Sequence, residues 1–222
     1  MTPGSAGVRG RKSPRAVRAI LRALEKTYPA AETALRYETP YQLLVATILS
    51  AQCTDERVNR VTAELFRDHP RPHDVLRLSQ EELESCIRSC GLFRNKARNI
   101  LAATRALIEE HHGTVPHDRE TLMELPGVGR KTANVVLANV HAIEAIAVDT
   151  HVFRVSRRLG LAHGHTPRRV EEELMEALPE REWAATHHRL IAHGRAICKA
   201  RTPLCGQCPL TRWCDWYAEN VA

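Results

Sequence analysis

The chain has no run of about 18 apolar residues, the length a membrane-spanning helix needs, so it has no transmembrane helix. Aromatic residues make up only 5% of its 222 positions, which is poor material for a platform that stacks single-stranded bases. It lacks the even, dispersed cysteine pattern of a disulfide-stapled secreted domain. The cysteines number seven, and four of them crowd into residues 198–214. The basic residues Arg9, Arg11, Lys12, Arg15 and Arg18 come without the apolar core of a signal peptide, so none is expected. An acid-free, Arg-rich start is compatible with a transit peptide. The Gly, Pro and Ser beside those arginines favour a disordered basic tail over residues 1–14. No alternating polar–apolar run is long enough for a strand, Ala145 to Val148 being too short, and no internal repeat is visible.

Hydrophobic residues make up 43% of the chain, enough for a sizeable core in one or two domains. The formal net charge is +6 and the isoelectric point is about 9.1. That balance suits a polyanionic partner, although many basic proteins share it. Helical spacing and cap residues predict helices over residues 14–28, 41–53 and 54–67, with Thr54 or Asp55 capping the third. A Pro-rich turn follows over residues 69–73. Further helices are predicted over 79–89, opened by the Ser79–Glu82 capping box, and over 94–111, closed by Gly113. After the stretch around residue 125 come helices over 148–159, over 166–178 behind the Thr166–Pro167 start, and over 182–197. The fold class is all-α, with about ten helices joined by short turns.

The chain is organised around Leu125 to Val136, LPGVGRKTANVV. The two glycines allow positive φ and a close backbone approach to something outside. The helix that starts near Gly129 points its free N–H groups out of the turn, which makes an anion site. Nothing here has the spacing of a nucleotide P-loop, and no strand precedes it. With helices on both sides, the turn can grip a DNA phosphate through Gly127, Gly129 and Arg130, a contact that carries no sequence information. Lys131 sits in the first turn, where the helix dipole disfavours a cation. It is either a phosphate contact or a nucleophile. The dipole, Arg130 and partial burial would lower its pKa, and a neutral amine forms Schiff bases with aldehyde carbons. Asp149 lies between an apolar run and a helix. It reads as an N-cap, and as a carboxylate able to stabilise a cationic sugar or orient a nucleophile.

Cys198, Cys205, Cys208 and Cys214 form a C-x6-C-x2-C-x5-C cluster directly after a helix. Four thiolates on so short a loop can enclose one soft metal centre. Zinc usually takes two C-x-x-C-like knuckles, whereas here one is flanked by wider gaps. Lys199, Arg201 and Arg212 offset the thiolate charge, and Lys199 and Arg201 could also face a phosphate backbone.

LPGVGRKTANVV, then AVDTHVFRV, then the four cysteines, in this order, resemble endonuclease III, the bifunctional DNA glycosylase/AP lyase family. The similarity also takes in LLVATILSAQCTDERVN at 43–59 and GLFRNKARNI at 91–100. The resemblance implies two helical domains with a DNA-binding cleft between them. One is a six-helix barrel over residues 34–146 carrying a helix-hairpin-helix. The other is assembled from residues 15–33 and 147–222 and holds a [4Fe-4S] cluster on the four cysteines. It implies that Lys131 attacks the sugar C1′, that Asp149 assists, and that β-elimination then cuts the strand. Gln52 matches the residue that fills the gap left by a flipped nucleotide, and Leu92 the wedge on the opposite strand. Met123 stands where family members often carry an acid.

The implied partner is double-stranded DNA with damaged bases, chiefly oxidised pyrimidines, or abasic sites. The enzyme is expected to act as a monomer in a bacterial cytoplasm, at the nucleoid. Two other readings remain. The adenine-mismatch glycosylase shares the hairpin and cluster but usually lacks the lysine. A non-catalytic DNA-binding or redox-sensing module would leave Lys131 and Asp149 without a purpose.

Overall fold

A computed structural model of the chain describes residues 12–221. Residues 1–11, which hold most of the expected basic tail, and residue 222 lie outside the described residues. The described residues form helices and short 3-10 turns, with no strand among them. In chain order the helices are α1 (Pro14–Thr27), α2 (Pro40–Leu49), α3 (Asp55–Asp68), α4 (Pro72–Val75), α5 (Gln80–Ile87) and α6 (Phe93–His111). Then come α7 (Arg119–Glu124), α8 (Arg130–Val140), α9 (Thr150–Leu159), α10 (Pro167–Ala177), α11 (Trp183–Ala196) and α12 (Asp215–Asn220). The all-α expectation holds. α4 occupies part of the stretch expected to be a Pro-rich turn. Pro72 opens it, and the Asp74 carboxylate accepts the Arg71 N–H at 3.2 Å.

Several of the helices start where the sequence supplies a side-chain oxygen for their free N–H groups. Ser13 accepts from Ala16 N–H at 3.3 Å and Thr54 from Arg57 N–H at 3.4 Å. Asp118 accepts from Thr121 N–H at 2.8 Å, and Thr166 from Arg169 N–H at 3.2 Å. The Ser79–Glu82 capping box forms in both directions, at 2.7 and 3.2 Å. Each such cap contributes about 1 kcal/mol.

The described residues divide into two compact units, Glu32–Ala147 and a second made of residues 12–31 and 148–221. In the first unit α2 is buried on every side from Tyr41 to Leu49 and packs on α3, α6 and α8. Leu83, Ile87, Ile100, Leu107, Leu122 and Val136 complete the core around it. The Tyr41 hydroxyl stays satisfied inside that core by Thr104 Oγ1 at 2.8 Å. In the second unit α9 packs on α10, α11 and α12, and α1 packs on α11 through its buried stripe of Val17, Ile20, Leu21 and Leu24. No helix among the described residues is long and apolar enough to cross a membrane.

Candidate active site and metal centre

In the first unit α7 and α8 form the expected hairpin, closed by Val128 N–H donating to Leu125 O at 3.0 Å. The two glycines differ. Gly127 has φ +79°, and a Cβ there would stand 2.8 Å from the Asn99 Cβ. Gly129 has φ −90° and ψ 173°, an extended conformation open to any residue, and a Cβ there would meet nothing within 4 Å. Positive φ is therefore needed at one glycine, not both. Nothing internal demands the second, so its small size leaves room for something outside. Gly129 has no side chain, so the N-cap residue of α8 supplies no acceptor to the start of the helix, where the dipole favours an anion.

Lys131 lies in that first turn and its side chain is exposed. The partial burial expected for it is not found, because the buried stretch of α8 begins at Ala133 and runs to Leu137. Within that stretch Asn134 is fully buried. It accepts from Arg119 Nε at 2.7 Å and donates to Ile146 O at 2.7 Å, so it ties α8 both to α7 and to the segment after α8. In the sequence Asn134 is marked only as a lone amide inside the run ANVVL.

Gln52 and Leu92 belong to the same unit. Both are exposed and both are left-handed, with φ +55° and +48°. Gln52 follows the end of α2; Leu92 follows the 3-10 turn Arg88–Cys90 and Gly91. Non-glycine residues in this region of φ/ψ are strained and need support from their surroundings.

In the second unit Asp149 caps α9. Its Oδ1 accepts both His151 N–H and Val152 N–H at 2.8 Å, and neither bond uses Oδ2. The cap and the functional reading are therefore compatible. The helix fixes one oxygen, and the other is available to a ligand. Burial holds the neighbouring His151 below its ordinary value, with Arg154 and Arg195 adding to the effect and Asp149 opposing it.

Cys198, Cys205, Cys208 and Cys214 line one pocket together with Arg158, His193, Trp216 and Tyr217. The 3-10 turns Cys205–Gln207 and Thr211–Trp213 aim the last three, and Leu204 N–H donating to Ile197 O at 3.0 Å closes the loop. Burial pushes the Cys208 and Cys214 thiols up, and the neighbouring sulfurs push them further. Four sulfurs gathered this way can all be thiolates only around a cationic centre, and no carboxylate oxygen lines the pocket. The donor set fits an iron–sulfur cluster.

Two arginines of α9 hold the loop. Arg154 donates to Cys198 O and Gly194 O, each at 3.0 Å. Arg158 donates to Cys198 Sγ at 3.4 Å, Lys199 O at 2.8 Å and Ala200 O at 2.9 Å, and its guanidinium stacks 4.7 Å above the Trp216 ring. Lys199 and Arg201 stay exposed on this pinned loop. Neither α9 arginine stands out in the sequence, where they read as an ordinary basic face.

The comparisons agree with this geometry. The family model described as HhH-GPD superfamily base excision DNA repair protein matches residues 45–180. The iron–sulfur binding domain of endonuclease III matches residues 198–214, the whole span from the first cluster cysteine to the last. Endonuclease III of Synechocystis sp. is 53% identical over 196 residues, covering 88% of this chain and 90% of its own. Endonuclease III of Bacillus subtilis is 51% identical over 188 residues, covering 84% and 86%. The solved structure of a trapped endonuclease III–DNA covalent intermediate has a TM-score of 0.90 at 47% identity, covering 95% of this chain and 100% of that one. The uncapped hairpin, the cysteine pocket and these matches converge: the chain belongs to the HhH-GPD superfamily of base excision DNA repair proteins, in its endonuclease III branch.

Proposed function

We propose that the DNA glycosylase and AP lyase activity of this base-excision-repair enzyme runs through Lys131 and Asp149, on duplex DNA carrying an oxidised pyrimidine or an abasic site. One observation carries this reading. An exposed lysine stands in the first turn of a helix whose N-cap residue is a glycine, two residues past that glycine, which nothing internal requires.

The α8 N–H groups, with Gly127, Gly129 and Arg130, grip a backbone phosphate. That grip fixes the sugar against Lys131. The neutral amine attacks C1′, the bond from C1′ to the base breaks, and the base leaves with a proton. The sugar ring opens to a Schiff base on Nζ. Loss of a proton from C2′ then breaks the C3′–O bond, which is the β-elimination that cuts the strand. Water finally hydrolyses the Schiff base and frees the lysine. Asp149 Oδ2 supplies the negative charge that stabilises the cationic sugar as the base departs, while Oδ1 stays on the α9 N–H groups. Gln52 and Leu92 enter the duplex, the one filling the space left by the extruded nucleotide and the other wedging the opposite strand.

Lys199 and Arg201 add phosphate contacts from the pinned loop. Cys198, Cys205, Cys208 and Cys214 hold the [4Fe-4S] cluster, whose contribution is to tie that loop together. We place the reaction at chromosomal DNA in a bacterial cytoplasm.

Borohydride reduction traps a Schiff base as a stable amine, so the test is covalent trapping on thymine-glycol and abasic duplexes. Wild-type protein forms the adduct and Lys131→Ala does not. An undiminished adduct with Lys131→Ala overturns the assignment. Lys131 and the endonuclease III matches weigh against both the adenine-mismatch and the non-catalytic readings.

A further inference from the structure

Lys96 is the one lysine in the core of the first unit, 4% exposed and in the opening turn of α6. A cation there opposes the helix dipole and loses its hydration. Burial accordingly holds its ammonium below the ordinary lysine value. The Cys90 thiol beside it, pushed up to about 11 by burial and by Cys53, stays protonated at neutral pH and gives it no counter-charge. What holds the charge in place is a set of carbonyls. Nζ donates to Leu49 O at 2.8 Å, Ala51 O at 2.7 Å and Cys90 O at 2.8 Å. An ammonium has three protons, and these bonds use all of them.

The three acceptors are not scattered. Leu49 ends α2, and Ala51 immediately precedes Gln52. Cys90 ends the 3-10 turn that leads through Gly91 to Leu92. One ammonium thus caps the ends of α2 and of the 3-10 turn at once, from 47 and 6 residues away, and a cation is favoured at both because the terminal carbonyls accept from it. Each capped end is followed within three residues by a strained, exposed, left-handed side chain. Left-handed geometry at a glutamine and a leucine persists only where the surroundings impose it.

We propose that Lys96 is a positioning residue for base extrusion, its three carbonyl bonds joining the Gln52 and Leu92 turns into one rigid insertion device. The proposal rests on the reading of Gln52 and Leu92 as the side chains that enter the duplex. Lys96 itself touches no DNA. It sets the spacing of the two tips and keeps each in the conformation that projects it.

The test uses the full-length, cluster-loaded protein. Lys96→Met keeps the length and apolar stem and removes all three donors. Two substrates are compared: a lesion-bearing duplex, whose base must be extruded, and a single-stranded oligonucleotide with a preformed abasic site, which has no base to extrude. The expected result for a folded variant is a loss of about 10²-fold in single-turnover excision from the duplex, with single-strand cleavage little changed. Fluorescence of a 2-aminopurine beside the lesion reports the lost extrusion directly.

Wild-type excision by Lys96→Met overturns the proposal, and so does an equal loss on both substrates, which marks a merely structural role. Gln52→Ala and Leu92→Ala run alongside. Undiminished duplex excision in both means the insertion reading itself is wrong; if they fail while Lys96→Met does not, only the role of Lys96 falls. Should Lys96→Met not fold, amide exchange in the wild type decides. The Cys53 and Gly91 N–H groups, which close their respective turns onto Ser50 O and Arg88 O, are expected to exchange in a single joint opening. Independent opening overturns the proposal.

Discussion

Alanine at Gly127 and alanine at Gly129 are expected to have opposite consequences, although the positions are two residues apart in one turn. At Gly127 an L-residue must adopt φ +79°, which costs about 1–2 kcal/mol. Its methyl would also sit 2.8 Å from the Asn99 Cβ and 2.9 Å from Nδ2. A Cβ cannot swing aside as a side-chain tip can, so overpacking adds about 1–3 kcal/mol. The total is about 2–5 kcal/mol, or about 4–20 °C in Tm for a chain of this size.

At Gly129 neither cost applies. The φ of −90° suits alanine, and its methyl meets nothing within 4 Å. The small loss of cap propensity and the gain from a stiffer unfolded chain offset each other to within about 1 kcal/mol. On the proposed phosphate grip, the methyl instead occupies the path to the α8 N–H groups. Loss of one hydrogen bond to a charged group is worth about 1.5–3 kcal/mol, or about 10- to 10²-fold in duplex affinity.

Thermal unfolding of both variants and duplex titration at several salt concentrations separate the two effects. The salt slope of Gly129→Ala is expected to match the wild type, because no charge has been removed. Equal destabilisation by the two substitutions, or wild-type duplex affinity in Gly129→Ala, would refute the reasoning.

Asp149→Asn keeps a good N-cap, so stability stays near wild type while single-turnover excision falls by about 10²–10³; near-normal turnover would remove Asp149 from the chemistry. Lys199→Ala is expected to weaken binding to all duplexes alike and reduce the salt slope by about 1, measured by fluorescence anisotropy. Iron analysis and visible absorbance should give about four irons per chain, and Arg158→Met should lose them faster, since it removes the donors on Cys198 Sγ, Lys199 O and Ala200 O; a colourless, zinc-loaded protein would reverse the metal assignment. His141 packs against His117 with ring centroids 3.9 Å apart and planes tilted by 42°, and burial, then His117, holds it below the ordinary imidazole value. Its folded value lies below its unfolded one, so its protonation favours unfolding: stability falls as pH drops through the ordinary imidazole value toward the folded one. His141→Gln should flatten that part of a Tm–pH profile.

Much of the molecule was legible from neighbours in sequence. Ser79 and Glu82 form their capping box, Thr54 and Thr166 cap the helices expected of them, and the Leu125–Val136 stretch makes its hairpin with an outward helix start. These features rest on forces that act over one helical turn, so residue spacing encodes them. The four cysteines are legible for the same reason, since 17 residues of chain cannot carry them far apart.

What tertiary structure alone decided depends on partners far along the chain. Asn99 is what makes Gly127 obligatory and so reveals that Gly129 is not required by the fold. Carbonyls up to 47 residues away turn Lys96 from a helix cation into a brace for two turns. Asn134 acquires its role only when Arg119 and Ile146 O reach it, and Arg158 only when the loop after Cys198 folds back 40 residues or more. The exposure of Lys131 belongs here too, because burial is a property of packed neighbours. The sequence by itself determined the helices, the hairpin and the metal donors, all set by local spacing. Which side chains are strained, buried or braced was decided by long-range hydrogen bonds and packing, which leave no periodic trace in the order of residues.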